Sequence, residues 1–294
     1  MSIYDKASLV QIPSGVKSGT LYNVVPNTAD GDFDFTRGST ATRVNKDGLI
    51  ETVAIGVPRL DYPLLDGVVQ DCPALLLEPT RTNLLLRSEE LDNGSWTKSG
   101  STVTANQIVS PNGSQTADLI TATSGNHINV YQAATTTNAD YNYSVFLKKG
   151  NTNIIEPYIF EVGVGFKTKA TIDFDNETAT ITNGTVILEK HSNDWYRVLI
   201  TINLTSASFT FGIFTNSTVG TRTVYAWGAQ VEQGSYATSY IPTSGSTVPR
   251  AADVANGAGN SEVFNDSEGV LFAQTSFLDR TTAKAISISD GSYT

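Results

Sequence analysis

The run WYRVLITI, residues 195–202, is where the fold class can be read. Successive side chains of a β-strand point to opposite sides, so Tyr196, Val198, Ile200 and Ile202 share one face and Trp195, Arg197, Leu199 and Thr201 the other. The first set is β-branched and aromatic and predicts the core side of a half-buried strand. The same alternation recurs nearby. Phe209, Phe211 and Ile213 point one way; Ile128 and Val130 oppose Asn129 and Tyr131; and Tyr225, Trp227, Ala229 and Val231 fall together, opposite Ala226, Gly228, Gln230 and Glu232. Trp227 is thereby expected in the core.

Working outward, nine runs of this kind occupy 102–109, 127–135, 141–149, 153–164, 168–175, 178–189, 195–205, 208–215 and 223–232, with no helical period between them. That pattern predicts an all-β chain whose residues 87–243 form a β-sandwich or jelly roll. Upstream, residues 1–86 read as a small, turn-rich β module for attachment or assembly. Asp30-Gly31 and Asp47-Gly48 separate its short apolar runs, and Pro58, Pro63, Pro73 and Pro79 forbid continuous helix or central strand. Downstream, 244–260 is rich in Gly, Ser, Ala and Pro, as a linker or surface strap would be. Residues 261–294 hold two more strand-like runs, EGVLFAQTSFL and AKAISISDG, expected to open a further β domain that the sequence does not complete.

Composition narrows the partners. The formal charge is −10, which repels nucleic-acid backbones and anionic membrane surfaces, so neither nucleic-acid binding nor membrane insertion is expected. A neutral partner such as a sugar suits this surface, although acidity also serves simple solubility. Cys72 is the single cysteine, which excludes an intrachain disulfide and a thiolate metal cluster. No run of about 18 apolar residues is present, and the N-terminus lacks a basic region followed by an apolar one.

Four longer phrases carry a resemblance: FTRGSTATRVNKDGLIETVAIGVPRLDY at 35–62, CPALLLEPTRTNLLLRSEEL at 72–91, SWTKSGSTVTANQIVSPNGSQTADLI at 95–120 and YAWGAQVEQGSYATSYIPTSGSTVPRAAD at 225–253. Together they resemble a family of bacteriophage virion proteins comprising tail fibres, head fibres and tail-associated adhesins. The resemblance implies a virion component on the particle exterior, touching other virion proteins, homo-oligomeric and trimeric like most fibres. It also implies that the middle module is similar to a carbohydrate-binding jelly roll, and that the C-terminal runs open a concanavalin-like lectin domain.

Sugar binding uses aromatic faces against the apolar side of pyranose rings, with planar polar groups reading the hydroxyls. Strand-borne aromatics facing away from the core are therefore the candidates: Trp195, Arg197, Tyr131 and Asn129, with Gln230 and Glu232 as polar partners and Trp96 at a loop rim. Each is also compatible with ordinary packing in the core or beneath a neighbouring module. Jelly-roll modules can hold a structural calcium, for which Glu89, Glu90, Asp92 and Asn93 supply oxygen, but no spaced loop motif identifies a metal site and no other cofactor is implied. Arg37, Arg43 and Arg81 sit among small hydroxyl residues and could pair bidentately with carboxylates of an adjacent subunit or module, or within the chain. Paired carboxylates for glycoside chemistry could come from Asp173 with Asp175 or Glu156 with Glu161, yet the first pair reads as a hairpin shoulder. His127 and His191 are the only histidines, and no nucleophile-elbow, zincin or phosphate-loop pattern accompanies them, so a non-enzymatic protein is expected. The reading is a fibre or adhesin presenting a sandwich to host surface glycans. Its rivals are a purely structural decoration protein and, more distantly, a depolymerase whose catalytic domain lies elsewhere.

Overall fold

The computed structural model describes residues 6–17, 19–26, 28–123, 125–215, 219–264, 270, 272 and 273. The strand runs expected beyond residue 264 lie outside the described residues. Among those described there is no α-helix. The first third is a series of short strands: β1 (Val10–Lys17), β2 (Thr20–Val25), β3 (Asp34–Thr36), β4 (Ala41–Val44), β5 (Ile50–Val53), β6 (Arg59–Asp61), β7 (Leu64–Leu65), β8 (Val68–Val69), β9 (Ala74–Leu76) and β10 (Arg81–Asn83). The sandwich strands follow: β11 (Thr97–Lys98), β12 (Thr102–Ile108), β13 (Ala117–Ala122), β14 (Asn129–Thr135), β15 (Ala139–Lys149), β16 (Ile154–Glu161), β17 (Gly165–Asp173), β18 (Thr178–Ile181), β19 (Thr185–His191), β20 (Trp195–Leu204), β21 (Ser208–Phe214) and β22 (Arg222–Gln233). Two strap strands close the order, β23 (Val248–Arg250) and β24 (Val254–Asn256).

The sandwich has two six-stranded antiparallel sheets, a front sheet in the order β11-β14-β21-β16-β17-β18 and a back sheet in the order β12-β13-β22-β15-β20-β19. Between them lies the expected core. Tyr196, Val198 and Ile200 of β20 meet Phe209, Phe211 and Ile213 of β21 and Ile128 and Val130 beside β14, all nearly or fully buried. Each such side chain contributes about 1.5–3 kcal/mol over leaving it in water.

Two sequence expectations are corrected. The run 178–189 is not one strand. Asn183-Gly184, with Gly184 at φ +87, turns the chain between β18 of the front sheet and β19 of the back sheet. The face grouping in 224–232 is broken by a bulge at Gly228, φ +64, which shifts the β15–β22 register between Ser144 and Phe146. Val224 and Ala226 point into the sandwich before it, and Ala229 and Val231 after it. Trp227 is buried as expected, but on the other side of the sheet.

There it belongs to a second apolar cluster with Phe146, Trp195, Tyr240, Ile50 and Ala117, formed because the N-terminal ladders and the strap cover the outer face of the back sheet. Seven consecutive residues of β15, Tyr141 to Leu147, are consequently buried on both faces. The cover is held by pairs far apart in the chain. β10 pairs with β23 and β3 with β24. Asn83 donates to the carbonyls of Ala229 at 3.2 Å and Ile241 at 2.8 Å. A buried ion network completes it: Asp253 accepts from Arg37 at 3.0 Å and from Arg59, while Glu78 accepts from Arg59 at 2.8 Å and Arg250 at 2.7 Å.

Candidate functional site

With the back sheet roofed over, the outer face of the front sheet is the broad strand surface left partly open. Its side chains follow from register. Asn129, Phe214 and Glu156 stand in one row across β14, β21 and β16; Tyr131, Gly212, Tyr158 and Lys169 in the next; Ala133, Thr210, Phe160 and Phe166 in the third. All lie opposite core residues, because Ile155 and Ile159 of β16 and the Phe209, Phe211, Ile213 set of β21 take the inward positions.

The face is aromatic. Tyr158 meets Phe166 edge-on with centroids 5.4 Å apart, Phe160 meets Phe166 at 5.3 Å, and the His127 ring stacks on Phe214 at 4.9 Å. Phe166 is 56% exposed although its side chain is wholly apolar. Gly212 leaves the space these rings need, since a Cβ would come within 2.7 Å of the Tyr131 Cβ and 2.8 Å of the Tyr158 ring. Polar groups are interleaved with the rings. The Tyr158 hydroxyl donates to Asn129 Oδ1 at 2.9 Å, and burial pushes its ionisation well up, so it stays a donor at ordinary pH. Lys169 lies over the Phe166 and Phe214 rings at 5.8 and 5.6 Å and binds Glu156 Oε1 at 2.9 Å. Aromatic rings with donors and acceptors set among them are the kinds of group that meet a pyranose face and its hydroxyls.

Of the expected glycan-binding residues, the structure brings Asn129 and Tyr131 onto this face, both partly exposed. It places the others inside. Trp195 is 1% exposed in the second cluster, its indole N–H donating to the Val109 carbonyl at 3.1 Å. Arg197 lies beneath the cover and donates to the Thr238 carbonyl at 2.7 Å and Ser144 Oγ at 3.2 Å. Gln230 and Glu232 are fully buried and hold the strap. The Ile241 N–H donates to Gln230 at 2.7 Å, and the N–H and hydroxyl of Thr238 donate to Glu232 at 2.7 and 2.6 Å. Trp96 is not at a rim but in the sandwich core, tied to the Arg87 carbonyl at 3.0 Å. All five are corrections: for Trp195, Arg197, Gln230 and Glu232, pointing away from one core is not the same as facing water, and Trp96 fills the sandwich core itself.

The three arginines expected at an interface each meet a carboxylate within the chain, although the buried Nε of Arg81 has no hydrogen bond. Arg37 binds Asp253 of the strap, Arg43 binds Glu51 across the β4–β5 hairpin at 2.5 Å, and Arg81 lies 4.0 Å from Glu232 and over the Tyr236 ring. At the proposed calcium cluster, the Lys98 ammonium donates to the Asp92 carbonyl at 2.7 Å and to the Asn93 carbonyl, while Glu90 binds Arg87 and Glu89 accepts from Tyr240. A lysine cation occupies two of the backbone oxygens there, and among the described residues no group of three or more His, Cys, Asp and Glu is placed to hold a metal. Asp173 caps its hairpin by accepting from the N–H groups of Asp175 and Asn176 at 3.0 and 3.1 Å, and Asp175 binds Lys149. That pair is a solvated shoulder. The sequence reading missed Tyr158, Phe166, Phe214 and Lys169 and raised Glu156 only as a possible carboxylate pair with Glu161, although the alternation in IIEPYIFE, 154–161, puts Glu156 and Tyr158 on one face.

No protein-family model matches the chain, and no curated protein matches it. Among solved structures it is similar to a carbohydrate-binding module of the β-sandwich superfamily, at 12% identity over 69% of this chain and 86% of that one, with a TM-score of 0.36. It is similar to a family 16 carbohydrate-binding module at 16% identity over 51% of this chain and 99% of that one, TM-score 0.33. It is also similar to the enzymatically active domain of tailspike protein 4 of bacteriophage CBA120, at 14% identity over 49% of this chain, TM-score 0.33; the chain spans 20% of that protein.

Proposed function

We propose that this protein is an exterior fibre or adhesin component of a tailed-phage particle that binds host surface glycans, without turning them over, on the outer face of its front sheet. The observation that carries the glycan reading is the juxtaposition of Tyr131, Phe166, Phe214, Asn129 and Lys169, all partly or well exposed, with the buried Tyr158 and Glu156 on one strand face. The virion reading is supported by the four phrases that resemble phage fibre proteins. Binding at such an open face is weak per site, and a trimer of fibres with several copies on a particle strengthens it through effective concentration.

The test is a glycan array probed with the full chain, followed by titration of the best binder. Tyr131→Ala and Phe166→Ala each remove one aromatic platform and are expected to lower affinity about ten-fold or more, with the fold retained by circular dichroism. A folded protein that binds no glycan at millimolar concentration removes the lectin reading.

A structural decoration protein is the second reading, favoured by the exposed apolar residues Val162, Val164 and Phe166 around the β16–β17 turn, which would suit a neighbouring protein. A reconstruction of the particle separates the two, since a covered front sheet cannot meet a host polysaccharide.

A further inference from the structure

Among the described residues the buried carboxylates follow one rule with one exception. Glu78, Glu232, Asp118 and Asp253 each engage both oxygens: Glu78 with Arg59, Arg250 and Ser239; Glu232 with Gln230 and Thr238; Asp118 with the N–H groups of Leu91, Asp92 and Asn106; Asp253 with Arg37, Arg59 and the N–H of Glu78. Glu156 does not. It is 5% exposed, its Oε1 binds Lys169, and its Oε2 is the one buried carboxylate oxygen among the described residues without a hydrogen-bond partner. A buried acceptor left unmatched is costly, and a hydroxyl brought to it would relieve that cost.

We infer that Glu156 and Lys169 form the selecting pair of the front sheet, taking an uncharged pyranose with two adjacent hydroxyls and disfavouring sugars that bear a carboxylate there. This rests on the reading of that face as glycan-binding. Glu156 stands in the row between Asn129 and Thr171, directly beside the ring of Phe214, and Lys169 stands one row away beside Tyr158. The carboxylate only accepts and the ammonium only donates. One hydroxyl donates to Glu156 Oε2 while its neighbour accepts from Lys169, whose side chain is 23% exposed and on a flexible stem that can shift to share its protons. A sugar carboxylate has no proton to offer Oε2 and would be repelled by Glu156, and the chain's formal charge of −10 adds to that repulsion.

The experiment uses the full chain against an array holding neutral hexose oligosaccharides and matched uronate- and sialate-bearing ones, with Glu156→Gln, Lys169→Met and Tyr131→Ala compared on the best binder. Neutral glycans are expected to lead. Glu156→Gln, close in size, is expected to weaken neutral binding about ten-fold, as loss of a hydrogen bond to a charged acceptor does, and to raise acidic relative to neutral affinity, a shift in ratio that a merely structural role would not produce. Lys169→Met is expected to weaken neutral binding with the melting temperature near that of the parent. The inference is overturned if acidic glycans bind best, or if Glu156→Gln and Lys169→Met leave affinity and selectivity unchanged while Tyr131→Ala abolishes binding. If the parent protein binds no glycan, the reading of the face fails and the inference with it.

Discussion

Gly228 has φ +64, a conformation that side-chain-bearing residues rarely adopt, and a Cβ there would meet the Phe146 ring at 3.0 Å. Gly228→Ala is therefore expected to cost about 1–3 kcal/mol, read as a shift in the urea midpoint with the slope unchanged. His191 makes the second prediction at this scale. Burial, and then the nearby charge of Arg197, lower its ionisation from the ordinary 6.5 to about 3. A base whose folded value is depressed is neutral in the fold while the unfolded chain takes up a proton, so its stabilising contribution is present above pH 6.5 and is lost as pH falls toward the folded value. Relative to His191→Phe, the parent should lose up to about 1.4 kcal/mol per pH unit across that window. Parallel pH profiles for the two proteins would refute this assignment.

Among the ladders, ion pairs of equal geometry should differ in worth according to what surrounds them. Asp253 is inaccessible and neutralises Arg37 and Arg59 together, whereas Arg43 and Glu51 face water on their hairpin. Asp253→Ala is expected to cost about 3–5 kcal/mol because it strands the buried Arg37 and leaves Arg59 with Glu78 alone, and Arg43→Ala less than about 1 kcal/mol; equal losses in chemical denaturation would contradict the network's role. The elements also show what could be read in advance. The alternation of 195–202 and of Phe209, Phe211 and Ile213 correctly assigned the sandwich core, because a strand's period needs no long-range information. Strand β13, and the division of 178–189 at Asn183-Gly184, were missed because a six-residue run and a turn dipeptide are weak local signals. Least legible was which outward face stays open. Trp195 and Tyr131 are equivalent by alternation, and only pairings such as Arg81 with Arg250 and Arg37 with Asp253, far apart along the chain, decide that one is roofed and the other is not.

Taken whole, the molecule has one covered flank and one bare one. A chain beginning at residue 87 would uncover Phe146, Trp195 and Trp227, so it is expected to aggregate or to bind a hydrophobic dye strongly where the full chain does not. A soluble, dye-silent fragment with native strand content would show that the cover is dispensable. The same long-range pairing sets a timetable. Arg37 and Arg59 lie in the opening segment, yet Asp253, which binds both, and the strands β23 and β24 arrive only with residues 248–256, while Glu78, the other partner of Arg59, comes earlier. Until then the opening segment is an unfinished lid, with Arg37 lacking its carboxylate and Arg59 paired with Glu78 alone, and the cover can latch shut only once those strands have been made.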